Sequence, residues 1–115
     1  MTQVQLYQSG TVVLNGSGNG TAKVGPLSAR EIWHPDNVHV SANANPVNDA
    51  LCKIYVGDLP IQQNFRDGTV SGSSGDSSDR VNADIVVCGK YVFAVWSGGD
   101  AGATAVMTVT GTKDV

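Results

Sequence analysis

Residues 81–96 read Val81-Asn82-Ala83-Asp84-Ile85-Val86-Val87-Cys88-Gly89-Lys90-Tyr91-Val92-Phe93-Ala94-Val95-Trp96. The first half places Val81, Ala83, Ile85 and Val87 on one parity, the period of two that marks a strand with one buried face. Cys88-Gly89-Lys90 suits a reversal, and residues 91–96 are apolar on both parities. The spacing predicts a hairpin whose second strand is covered by an opposing sheet on one side and by a neighbour or loop on the other.

The same period extends outward in both directions. Downstream, residues 97–102 form a Gly-rich reversal, after which Ala103, Ala105, Met107 and Val109 alternate with Thr104, Thr108 and Thr110. Upstream, Val4 and Leu6 oppose Gln3 and Gln5 in an opening strand, and a second apolar run at 11–14 follows the break Ser9-Gly10. The segment Asn15-Gly16-Ser17-Gly18-Asn19-Gly20 reads as a flexible loop, with a short strand returning at 21–24. Residues 30–33 and 38–42 are two strands, or one interrupted at His34-Pro35-Asp36-Asn37. A loop with a single helical turn after Pro46 leads to a strand at 50–56. Residues 61–66 form an edge strand ended by Asp67-Gly68, and the polar tract 71–79 is an exposed loop.

Composition agrees with sheet. The chain has 115 residues, with 17 Val, 8 Thr and 4 Ile against 5 Leu, 2 Met and a single Glu. β-Branched side chains favour strands, and the abundant Gly, Ser, Asn and Asp supply turns. The expectation is one all-β domain over residues 1–115, an antiparallel β-sandwich of about eight to ten short strands. A jelly-roll-like order is preferred to an immunoglobulin one, because no Trp lies between two suitably spaced Cys.

Charge and motifs exclude more than they assign. The formal charge is −3, and the seven basic residues are scattered along the chain, so no phosphate-binding patch or nucleic-acid partner is read from them. No apolar run reaches the ~18 residues of a membrane span, and Met1-Thr2-Gln3-Val4-Gln5-Leu6-Tyr7 lacks the basic and apolar regions of a secretory signal. Cys52 and Cys88 read as buried free thiols; their pairing into one disulfide stays open. His34 and His39 with Glu31 and Asp36 could share a metal ion, but their spacing fits no closed site. Asp58, Asp67, Asp76, Asp79 and Asp100 lie in turns without the calcium-loop series, and Asx side chains capping their own turns account for them. No nucleophile elbow or dinucleotide fingerprint occurs, so neither an enzyme nor a cofactor is expected.

Four aromatic residues remain: Trp33, Tyr55, Tyr91 and Trp96 are candidates for an interface or a glycan-stacking platform, with core packing the competing role for the tryptophans. The order of several segments is similar to the small β-sandwich virion proteins of tailed bacteriophages infecting actinobacteria. The segments are Val24-Gly25-Pro26, Trp33, Val38-His39-Val40, Cys52-Lys53-Ile54-Tyr55-Val56-Gly57 and Asp67-Gly68-Thr69-Val70-Ser71-Gly72, then Val95-Trp96-Ser97-Gly98-Gly99 and Gly102-Ala103-Thr104-Ala105. That resemblance implies a non-enzymatic structural protein of the virion, assembled in the host cytoplasm. It implies a homo-oligomer on the particle, decorating the capsid against the major capsid protein or other virion proteins. The alternatives are a minor tail protein and a carbohydrate-binding module that attaches to a host surface glycan.

Overall fold

A computed structural model describes residues 2–43, 50–71, 77–80 and 85–115; the helical turn expected after Pro46 lies outside them. Nine strands are described: β1 (Gln3–Val13), β2 (Gly20–Val24), β3 (Ile32–Asn43), β4 (Ala50–Gly57), β5 (Phe65–Ser71), β6 (Ser77–Arg80), β7 (Val86–Val87), β8 (Tyr91–Ser97) and β9 (Thr104–Asp114). The first sheet runs β1-β9-β3-β6, with β7 also on β3, and the second runs β2-β8-β4-β5. Every pairing is antiparallel.

The pairings nest. Around the connection between β4 and β5, β4 pairs β5, β3 pairs β6, β2 pairs β8 and β1 pairs β9. Successive nested pairs fall in opposite sheets, so the chain is one long hairpin rolled up on itself. That is jelly-roll order, as the sequence predicts.

The core lies between the sheets. β4 shows why: Ala50, Cys52, Ile54 and Val56 are buried while alternate residues face outward. Leu6, Val38, Val40, Met107 and Val109 from the first sheet meet Val92, Ala94 and Trp96 from the second in one cluster. Burying each Val, Leu or Ile contributes roughly 1.5–3 kcal/mol, enough for this face to fix strand register.

Four local expectations need correction, and one open alternative is resolved. First, Ser9-Gly10 does not break β1, which is continuous. The bare Gly10 backbone lets β2 approach: a Cβ there would stand 3.2 Å from Val24 Cγ1. Second, of the two readings left open for residues 30–42, β3 is the single interrupted strand, and its interruption is a bulge between Pro35 and Asn37 that leaves Asp36 unpaired. A bulge is one of the few places within a sheet that tolerates a proline lacking an N–H. Third, residues 62–64 form a 3-10 turn, and β5 continues through Asp67-Gly68 instead of stopping there. Fourth, residues 77–79, expected in the loop 71–79, form β6 (with Arg80) against β3.

Last, β7 and β8 do not pair as the hairpin expected over residues 81–96. Of its first strand, residues 81–84 lie outside the described set, and β7 pairs with β3 in the first sheet while β8 belongs to the second. Residues 88–90 therefore carry the chain from one sheet to the other, with Lys90 N donating to Val87 O at 2.9 Å. The expected buried parity is also reversed where it is described: Val86 is fully buried, whereas Ile85 and Val87 are exposed.

Candidate functional site

The four predicted aromatic residues divide by face. Trp33, at the start of β3, is 3% exposed, and Trp96, in β8, is fully buried. Both point into the core, so neither offers a ring face to a sugar or a partner, and the stacking role leaves them. Trp33 Nε1 donates to Glu31 Oε1 at 3.2 Å. Trp96 Nε1 is buried with no partner among the described residues.

Tyr55 and Tyr91 lie on the outer face of the second sheet. Register places Lys23, Phe93, Tyr55 and Phe65 in one row across β2, β8, β4 and β5. Tyr55 meets Phe65 edge-on at 5.6 Å, and Tyr91 meets Phe93 at 5.8 Å. This layer leaves Phe93 only 5% exposed and explains why residues 91–96 are apolar on both parities. The chain's own aromatic rings supply the second cover that the sequence assigned to a neighbour or loop.

Beside this row lies an open cleft of about 370 Å³, lined by Gln8, Lys23, Val24, Gly25, Leu27 and Tyr91. It sits where the edge of the first sheet, β1, meets the edge of the second, β2. Lys23 Nζ stands 4.4 Å from the Tyr91 ring centroid, so one face of that ring holds a cation. Leu27, at 95% exposure, forms an apolar lip. An aromatic ring, an aliphatic lip and an amide suit an amphipathic chain or a single sugar ring better than an ion.

Several ionisable groups pair with one another. Lys113 Nζ lies 3.1 Å from Glu31 Oε1, the oxygen that also accepts from Trp33. The Trp33 hydrogen bond, followed by the Lys113 contact, holds the Glu31 carboxyl below its ordinary range. His34 Nε2 lies 2.9 Å from Asp114 Oδ2 across the outer face of the first sheet. His39 shares that face, opposite Thr108, and Asp36 is exposed at the bulge. Among the described residues no three His, Cys, Asp or Glu side chains converge as a metal would require. Asp67, expected in a turn, lies instead within β5, where its Oδ1 accepts from Gly68 N at 2.8 Å. Cys52 is buried as expected, whereas Cys88 is exposed, because its turn between the sheets carries it out of the core.

The sequence reading overlooked the free edge of β1. This strand runs 11 residues as Gln3-Val4-Gln5-Leu6-Tyr7-Gln8-Ser9-Gly10-Thr11-Val12-Val13 and contains no charged residue. It pairs with β9 on one side, and among the described strands none hydrogen-bonds its other side. Tyr7 is 66% exposed, and Val4 and Val13 are exposed as well. The signal was present in the composition: no Asp, Glu, Lys or Arg precedes Lys23. No protein-family model and no curated protein sequence matches the chain.

Proposed function

We propose that this chain is a non-enzymatic assembly module, a structural virion protein of a tailed bacteriophage that decorates and stabilises the capsid as an oligomer. The observation that carries the assembly reading is the long, uncharged, open edge of β1, a surface suited to backbone pairing with another chain. The phage assignment rests on the segment resemblance described above. Jelly rolls serve in viral capsid and lectin domains alike, so the architecture is compatible with that assignment without selecting it. Contacts repeated over a symmetric particle add through multivalency, which suits a small module with one modest surface.

Fractionation of particles followed by mass spectrometry tests this reading. The chain should co-purify with the major capsid protein at a regular copy number. Recovery only in the soluble fraction of the host lysate would overturn it.

The Tyr91 cleft favours a second reading, a carbohydrate-binding module for a host surface glycan. A glycan array with the native chain and Tyr91→Ala separates the two. Sugar binding that is lost in the variant supports the module, and no binding to any glycan removes it.

A further inference from the structure

We propose that residues 3–9 of β1 pair with the same residues of a second copy of this chain across a two-fold axis. Two five-stranded sheets then continue as one antiparallel sheet. This deepens the assembly reading and rests on it for its biological setting, but the physical argument comes from a comparison of the molecule's own edges.

A two-sheet sandwich has four edge strands, and each exposes unpaired backbone groups that invite a further strand. Natural sheets blunt such edges by keeping them short or charged. Three of the four are blunted here, and the side formed by β6 is shared with β7, which has only 2 residues. β2 has 5 residues and carries Lys23; β5 has 7 and carries Arg66 and Asp67; β6 has 4 and carries Asp79 and Arg80. β1 has 11 residues and no charge. Each of these three edges carries charge, and the longest edge carries none.

Part of β1 is already covered. Gly10 lies against Val24 and the Lys23 carbonyl, and Val12 lies against Gly20, so β2 shields the C-terminal part of the strand. Residues 3–9 extend past this seam. At ~3.3 Å per residue they offer about 23 Å of unpaired backbone.

The side chains make a second copy the fitting occupant. Gln3, Gln5, Tyr7 and Ser9 share the outer face, and an amide or hydroxyl both donates and accepts, so either group can bond to the other. With the axis at Leu6, Gln3 faces Ser9 and Gln5 faces Tyr7 on the outer face, while Val4 faces Gln8 on the inner. No like charges meet, although two copies of a chain with net charge −3 repel at long range. A two-fold axis requires antiparallel pairing, which is the sense of every ladder in the molecule. Leu27 and Gln8 line the same cleft, which places an exposed apolar side chain beside the new seam.

The contact is at the small end of protein interfaces, so the dimer should dissociate in the micromolar range or above. Sedimentation equilibrium of the full chain from micromolar to millimolar concentration tests it. The native chain and a control, Leu51→Lys on the outer face of the second sheet, should dimerise alike. The double variant Gln5→Lys with Tyr7→Lys should raise the dissociation constant by tenfold or more, while melting in dilute solution stays close to native. Amide exchange of the native chain provides a readout that needs no variant: the outward amides within residues 3–9 should become protected as concentration rises. A chain that stays monomeric throughout overturns the proposal. So does a dimer in which residues 3–9 exchange freely. A monomer found on particles would remove edge pairing and leave the assembly reading standing; a dimer absent from particles would do the reverse.

Discussion

Glu31 is one of the few side chains here whose chemistry depends on its surroundings. Its carboxylate accepts from Trp33 and pairs with Lys113, tying the approach to β3 to the end of β9. Because these partners favour the charged form, its folded-state pKa lies below the unfolded value. Its contribution to stability is therefore complete above the ordinary Glu pKa, near 4.3, and is lost as pH falls through the lowered folded value. Glu31→Gln should flatten that acid limb of the stability curve, as urea unfolding at a series of pH values would record. The two thiols differ in the same local way. Cys88 is exposed and Cys52 buried, so a thiol reagent should modify Cys88 in the native chain and reach Cys52 only on unfolding. Mass spectrometry before and after denaturant would check this; equal labelling in the native state would contradict the buried placement of Cys52.

At the scale of elements, the bulge in β3 governs how two long strands fit. Gly111 in β9 faces it with φ +152, and a Cβ there would collide with the His34 carbonyl and stand 2.8 Å from Asp36 N. Gly111→Ala should cost about 1–3 kcal/mol or more, with an unchanged urea m-value if the fold survives. Nothing in the residue pattern marks Gly111 as special, because the atoms it must avoid lie far away in sequence. The strands that were legible have one clean buried parity. β4 alternates from Ala50 to Val56, and the later half of β3 and β9 do the same. Tertiary contacts decided what was not legible. β6 reads as a loop because Ser77-Ser78-Asp79-Arg80 has no apolar face, and only its pairing with β3 makes it a strand. The aromatic candidates divided for a related reason: sequence gives ring type but not facing, so the core and stacking roles of Trp33 both stayed open until the fold placed its ring inside. The supposedly flexible loop after β1 is also held, by a local side-chain cap and by a contact remote in sequence. Asn15 Oδ1 accepts from the backbone N of Ser17 and Asn19, and Gly99 N donates to Gly18 O at 3.0 Å.

For the whole molecule, the nested order implies a sequence of events. Closing a loop costs entropy that grows with its length, so the β4·β5 pair, joined by a short connection, is the least costly to form. β1·β9 joins opposite ends of the chain and is the most costly. Folding should take milliseconds to seconds, as in other sheet proteins dominated by distant pairings. Conservative truncations such as Ile54→Val should slow refolding, whereas Val109→Ala should mainly accelerate unfolding. Stopped-flow chevrons on the two variants would decide; the opposite assignment would mean that the outer pair nucleates the fold.

The outermost pair also closes on itself. Val115 N donates to Thr2 O at 2.9 Å, and Thr2 N reaches back to Val115 O at 3.4 Å. Residues 2 and 115 therefore stand side by side at one pole of the sandwich. A short peptide could weld them into a circle, and the ring could then be cut at the exposed bend around Leu59 and Pro60. Such a permutant would keep every ladder while turning the nesting inside out, so that the last pair to meet in the native chain becomes its most local one.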